Sequence, residues 1–159
     1  MIVSFDTNVL VYATAPASVK ADRARDVIAR GMRGGENVLL LQTLAEFANV
    51  AIRKAGMPLD DARTAIDAWR AVLPVYAAEE SDLAAALAAA KAHRLAFWDA
   101  MLWATARRIG VRCFLTEDLH DGLALDGVRF VNPFDPANDR LIDDILPLPD
   151  DGGQTTQDG

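Results

Sequence analysis

The chain contains one cysteine, Cys113, in 159 residues. An internal disulfide is therefore excluded, and a lone thiol fits a reducing cytoplasm. Long apolar runs are also missing. No stretch reaches the ~18 uninterrupted apolar residues that a membrane helix needs. No basic start precedes an apolar run with a small-residue cleavage site, so the sequence predicts no signal peptide. Lysine is scarce: thirteen of the 16 basic residues are Arg, and no Lys follows Lys91. Histidine occurs only at His93 and His120. His93 ends an Ala-rich segment, where a cation favours the helix dipole, and His120 falls in a loop; both read as surface residues. No internal repeat is present.

The net charge of −7 argues at first against a nucleic-acid partner. The charge is unevenly spread, however. Residues 135–159 carry seven Asp and one Arg, a net of −6, which leaves residues 1–134 at −1. If four carboxylates of the body hold metal, the rest of that body is net positive by three. Its cations are mostly Arg, which binds phosphate in a bidentate manner. A polyanionic partner is not excluded.

Apolar residues make up 52% of the chain, enough for a sizeable core in one domain. Ile2–Phe5 reads as a buried strand and Asn8–Ala13 as the start of a helix. Ser18 to Met32 reads as a helix closed by Gly34-Gly35. Val38–Leu41 reads as a second strand. Thr43 is placed to cap a helix to Lys54, with Glu46 at capping-box spacing. Pro58 opens a helix to about Val72, and Leu73–Tyr76 reads as a third strand. Ser81 is expected to cap a helix over Asp82–His93, and Trp98–Ile109 forms another. Val111–Leu115 and Val128–Val131 read as the fourth and fifth strands. The strands are continuous apolar runs rather than alternating patterns. The expected fold class is therefore α/β: a three-layer α/β/α sandwich with a central, mainly parallel sheet of four to five strands, covered on both faces. Ligand sites in such sheets form at the carboxyl ends of the strands.

Acidic residues recur at those ends. Asp6 follows strand one, Glu46 lies one turn into the helix after strand two, Asp99 lies in FWDAMLWATARRIG, and Asp118 follows strand four in LTEDLHDG. Each has an ordinary structural explanation. Asp6 can cap the next helix, Glu46 can complete a capping box, and Asp118 can serve a turn, with Glu117 and Asp121 equally available nearby. Asp99 resists such an explanation, because an ionised carboxylate among apolar groups costs several kcal/mol unless paired or metal-bound. Taken together, four carboxylates from four distant segments would repel one another, and hard divalent cations with oxygen ligands relieve that repulsion. Mg²⁺ or Mn²⁺ on such a cluster is a usual setting for phosphodiester hydrolysis.

The ordered set SFDTNVLVYA, LQTLAEFANV, FWDAMLWATA and LTEDLHDG…VRFVNPF resembles the PIN-domain ribonucleases, in particular the VapC-like toxins of type II toxin–antitoxin pairs. The resemblance spans residues 1–134 and implies a PIN nuclease domain there, with residues 135–159 as an acidic tail that solvates the protein and is disordered from about 147. A lesser alternative has the tail fold back on a basic RNA-binding surface. The resemblance implies a metal site of Asp6 and Asp99, completed by Glu46 and Asp118, which together carry the catalysis. Thr7, Asn8 and Thr116 would hold the carboxylates by hydrogen bonds, with Glu117 beside them. It implies Mg²⁺- or Mn²⁺-dependent endoribonuclease activity in the cytoplasm, a homodimer, and a cognate antitoxin protein whose C-terminal segment blocks the pocket.

Other residues carry weaker signals. Cys113 reads as a buried apolar residue. Trp69, Trp98 and Trp103 fit packing or a dimer face, and Trp98 could stack on a base. Arg23, Arg25, Arg53 and Lys54 fit solvated helix faces or phosphate contacts. Two other classes compete with the nuclease. An aspartate-based phosphatase expects a carboxylate two residues after Asp6, where Asn8 stands, and a phospho-acceptor domain expects a late Lys, which is absent. A non-catalytic PIN module binding RNA or protein would have lost carboxylates, and here all four are present.

Overall fold

Both faces of the sheet are covered because its strands split their side chains between two cores. In the computed structural model, which describes residues 1–34 and 36–148, β1 (Ile2–Phe5), β4 (Val111–Leu115) and β6 (Val128–Val131) pair in parallel, with Phe5 beside Leu115 and Leu115 beside Val131. β2 (Leu39–Leu40) and β3 (Val75–Tyr76) form a second parallel pair. β2 meets β1 through a parallel bridge between Val38 and Ser4, where Val38 N–H donates to the Val3 carbonyl at 3.1 Å. Leu39 and Leu115 point into one core, with Phe5, Phe47 and Ile142. Val38, Leu40 and Phe114 point into the other, with Met101, Trp103 and Phe130. A strand buried on both faces has no polar side to alternate with, which explains why these strands read as mainly apolar runs.

Seven α-helices lie among the described residues: α1 (Thr7–Thr14), α2 (Val19–Arg33), α3 (Leu41–Arg53), α4 (Leu59–Arg70), α5 (Glu80–His93), α6 (Phe97–Arg108) and α7 (Asp139–Ile145). The architecture is the expected three-layer α/β/α sandwich around a mainly parallel sheet. α2 approaches the sheet closely at Gly31, where a Cβ would overlap the Phe5 ring. Asn37 ties the same region together, accepting from Val3 N–H at 3.0 Å and donating to the Gly31 carbonyl at 2.9 Å.

Several local expectations change. α3 begins at Leu41, directly from β2 with no loop, and Thr43 is not its cap. The Thr43 hydroxyl instead donates to the Leu40 carbonyl at 2.7 Å. Glu46 is thereby released from any capping box and projects from the second turn. α5 is capped by Glu79 rather than Ser81, in a reciprocal box with Asp82. A short antiparallel edge strand, β5 (Ala124–Leu125), adds to β6 through a two-residue turn. The acidic segment expected to solvate the protein folds as far as α7. Ile142 and Leu146 are buried, and Arg30 pairs with Asp143 at 2.6 Å. Most of the stretch expected to be disordered, residues 149–159, lies outside the described residues.

Candidate metal centre

The chain leaves β1 at Asp6, whose N–H still donates to the Leu115 carbonyl of β4 at 2.9 Å. Asp6 then caps α1, its Oδ1 accepting from Thr7 N–H at 2.7 Å. The cap and the site are the same residue. The cap turns the carboxylate toward the carboxyl edge of the sheet, where its residue is only 8% exposed.

A cavity of about 380 Å³ opens at that edge, and Asp6, Glu46, Asp99 and Asp118 all line it. Four distant segments thus deliver the four expected carboxylates to one place. α3 brings Glu46, α6 brings Asp99 from its first turn, and the segment after β4 brings Asp118.

The hydrogen bonds around them form a connected set. Thr116 donates to Asp6 Oδ2 at 2.6 Å. The Asn8 amide lies between three oxygens, reaching Asp6 Oδ2 at 3.2 Å, Asp118 Oδ2 at 3.0 Å and Thr116 Oγ1 at 3.3 Å. Thr7 donates to Glu46 Oε2 at 3.1 Å. Thr7, Asn8 and Thr116 therefore all touch carboxylates of the cavity. Glu117 does not. It accepts from Tyr12 Oη at 2.7 Å and pairs with Lys20, on the far side of Tyr12. Asp121 is also turned elsewhere, accepting from Asn132 N–H and the Asn138 amide.

Two residues of this edge gave no signal that was used in the sequence. Gln42 donates to Glu46 Oε1 at 2.8 Å and to the Trp98 carbonyl at 3.2 Å, tying Glu46 to the start of α6. Its position four residues before Glu46 on one helix was the available cue. Tyr12 lines the cavity, four residues after Asn8 on α1.

The electrostatics show the cost of the arrangement. Burial pushes the Asp6 carboxyl from 3.8 up to about 6, against hydrogen bonds from Thr116 and Thr7 that hold it down, with repulsion from Asp118 and Glu46 adding to the rise. Asp99 is also raised, by burial first and then by Asp118 and Glu46. Asp118 and Glu46 thus act on both Asp6 and Asp99, which places these carboxylates in one field.

The donor set fits a hard divalent cation: it is all oxygen, anionic and mutually repelling. Asn8 Oδ1 is a further buried acceptor with no donor. Among the described residues, no three Asp, Glu, His or Cys side chains converge closely enough to form a ready-made ligand set. The cavity walls set the four carboxylates around a shared space rather than around a point.

Comparison with known proteins places this architecture. The PIN domain family model matches residues 3–120, and the chain belongs to that family. Its fold is similar to that of VapC20 of Mycobacterium tuberculosis, described as a sarcin-ricin loop cleaving toxin. That likeness has 16% identity and a TM-score of 0.59, covering 70% of this chain and 86% of the other. It is also similar to a chain of a toxin–antitoxin complex from Klebsiella pneumoniae, with 21% identity and a TM-score of 0.63, covering 82% of this chain and 97% of that one. A comparison with curated proteins finds no significant sequence match.

Proposed function

We propose that this chain is a metal-dependent endoribonuclease and the toxin of a toxin–antitoxin pair. One observation carries the reading: four carboxylates from four distant segments line a single cavity at the carboxyl edge of a PIN-family sheet. The two structural relatives, one described as a sarcin-ricin loop cleaving toxin and one as a toxin–antitoxin complex, agree with it.

Asp6 and Asp99 would hold a Mg²⁺ or Mn²⁺ ion, with Glu46 and Asp118 completing its surroundings. When bound, such an ion lowers the pKa of a coordinated water and stabilises charge developing on the phosphate. The chain's own residues do the positioning. Thr116 and Asn8 fix Asp6, Asn8 fixes Asp118, and Thr7 with Gln42 fixes Glu46. These contacts keep oxygen lone pairs turned toward the cavity, and supporting partners of this kind matter for metal affinity by about 10–100-fold. Val11, Val50 and Leu102 form an apolar wall beside them, which strengthens electrostatic interactions inside by excluding water.

The same reading includes a cognate antitoxin as partner, RNA as substrate, a homodimer and a cytoplasmic location. Among the described residues no helix is long and apolar enough to cross a membrane. Exposed Leu83, Leu87, Phe97 and Trp98 on α5 and α6 give apolar surface for a second copy to cover.

The deciding experiment is cleavage of RNA by purified protein in Mn²⁺ or Mg²⁺ and in EDTA, beside the Asp99→Asn variant. Metal-dependent cutting lost in the variant is expected. Cutting that persists in EDTA, or undiminished in Asp99→Asn, would remove the mechanism. Growth arrest on induced expression, relieved by a co-expressed antitoxin, tests the toxin assignment.

A further inference from the structure

A second cavity, of about 250 Å³, is lined by Phe134, whose ring packs on Tyr12 of the carboxylate cavity. Val19, Pro133, Phe134 and Pro136 give it apolar walls, and Lys20, Arg23 and Asp139 stand at its edge. Tyr12 belongs to the wall of the carboxylate cavity and packs edge-on against Phe134, ring centres 5.1 Å apart. The two cavities therefore share a partition of two aromatic rings.

Lys20 sits on that partition. Its ammonium is 3.3 Å from Tyr12 Oη, pairs with Glu117, and lies 4.9 Å over the Tyr12 ring and 5.4 Å over the Phe134 ring. Its side chain is still 47% exposed. Arg23 is differently placed. It donates to the Pro133 carbonyl at 2.9 Å and pairs with Asp139 at 2.7 Å, so its charge is committed to holding the cavity wall. Val19 forms the outer lip, 89% exposed, with its apolar side chain almost wholly in solvent.

The geometry points to a nucleotide subsite: the Val19–Phe134 cavity takes the base next to the scissile phosphate, and Lys20 takes that nucleotide's own phosphate. This rests on the nuclease reading and deepens it. A phosphodiester approaching four carboxylates needs a cation nearby, and Lys20 is hydrogen-bonded to a wall of the carboxylate cavity. An aromatic ring with apolar neighbours accepts any base by stacking and contact. The half-exposed Lys20 ammonium, held against Tyr12 of the carboxylate cavity wall, favours a phosphate-bearing RNA over an apolar protein segment as the occupant. Glu117 has a role here as well: it holds the Lys20 ammonium at the partition when no phosphate is present.

The test uses the full chain in EDTA, so that no cleavage intervenes. The probe is a fluorescein-labelled, mixed-sequence 2′-O-methyl hexanucleotide, and binding is read by anisotropy across a salt series. Val19→Asp should weaken binding fivefold or more, and Val19→Lys should tighten it. Position 19 opens α2 and is exposed, and an acid there favours the helix dipole, so weaker binding by Val19→Asp is not unfolding. Lys20→Gln should weaken binding and flatten the salt dependence by about 0.7 in log–log slope, as expected for one lost phosphate contact on a single strand. Three affinities within twofold of the parent's would overturn the subsite, as would Val19→Asp and Val19→Lys shifting in the same direction, or a parent that binds no RNA. Variants that keep RNA affinity but escape the antitoxin would also overturn it, by making the occupant a peptide. Cleavage by the parent in Mn²⁺ is scored separately. A parent that cuts while its variants bind alike leaves the nuclease reading standing without the subsite. A parent that binds in the expected pattern yet never cuts leaves the subsite without the nuclease.

Discussion

Replacing Asp6 by Asn should make the metal-free protein more stable at neutral pH while removing its proposed activity. The Asp6 carboxyl is pushed from 3.8 to about 6 in the folded chain, by burial first. Between those values the folded state holds a proton that the unfolded state has released. The favourable contribution of the protonated acid is complete below 3.8 and is lost as the pH rises through about 6. At 1.36 kcal/mol per pH unit, an ionised Asp6 above that range costs about 3 kcal/mol relative to its acid form. Asn carries no charge at any pH and keeps an oxygen for Thr7 N–H. Its amide replaces Oδ2, so the Thr116 hydroxyl must turn to accept and the Asn8 amide faces a second donor, at a cost of about 1–2 kcal/mol. The net gain is about 1–2 kcal/mol above pH 7, which in a chain of this size raises Tm by about 2–8 °C. Urea melts of parent and variant in EDTA, from pH 4 to pH 8, read it directly. The advantage of the variant should grow through this window and level off above pH 6. Added Mn²⁺ should reverse the order, because a ligand at one hundred times its Kd stabilises the parent alone by about 2.7 kcal/mol. A pH-independent difference, or a variant less stable than the parent by more than about 1 kcal/mol at pH 7.5, would refute the electrostatic account of the pocket.

Four further outcomes are expected. Asn8→Ala, which removes contacts to both Asp6 and Asp118, should weaken Mn²⁺ binding by about 10–100-fold, measured by calorimetry. Asp82 is 2% exposed; burial pushes its carboxyl up, but hydrogen bonds from Arg108 and from Glu79 N–H outweigh this and hold it below its usual value. Asp82→Asn should therefore cost about 2–3 kcal/mol at neutral pH, and the deficit should shrink as the pH falls below 3.8 and through the lowered folded value; a deficit that persists unchanged in acid would count against the pair. Gly31→Ala should destabilise by about 1–3 kcal/mol through overlap with Phe5, seen as a lower urea midpoint. Ile142→Ala should cost about 2–4 kcal/mol, because α7 is part of the core; a neutral result would return residues 135–146 to the role of a solvating tail.

The strands and the site-bearing edge were legible because their causes are local. β1 and β4 are mainly apolar, interrupted only by Ser4 and by the exposed Arg112, since each faces two cores, and a carboxylate at the end of such a run stands out. What escaped notice had causes elsewhere in the chain. α3 follows β2 without a loop and is capped by Leu40, with no side-chain hydrogen bond, so no polar residue marked its start. Thr43, the only conventional cap in reach, drew the cap three residues too late. The fold of α7 depends on Arg30, 113 residues away, and an acidic composition concealed the apolar pair Ile142 and Leu146. β5 did have a local signal. The Asp126-Gly127 pair takes positive φ at both positions, 44° and 85°, which suits a two-residue hairpin loop, but strands of two residues leave too little pattern to read.

The candidate site shows why ordinary and functional explanations of one residue need not compete. Asp6 does cap α1, as its position alone suggested. Capping uses one oxygen on one N–H, and a carboxylate has lone pairs to spare. Thr116 and Asn8 engage the other oxygen, and the bonds from Thr116 and Thr7 hold the group down in pKa while burial and the neighbouring carboxylates push it up. If capping were the whole role, Asn would serve as well and would avoid the cost of ionisation above pH 6. An Asp in this setting, beside Glu46 and Asp118, fits the proposed cation, which would offset the charge when it binds. The pH-dependent melts of Asp6→Asn, with and without Mn²⁺, separate the two roles: the cap survives the substitution, and the response to metal does not.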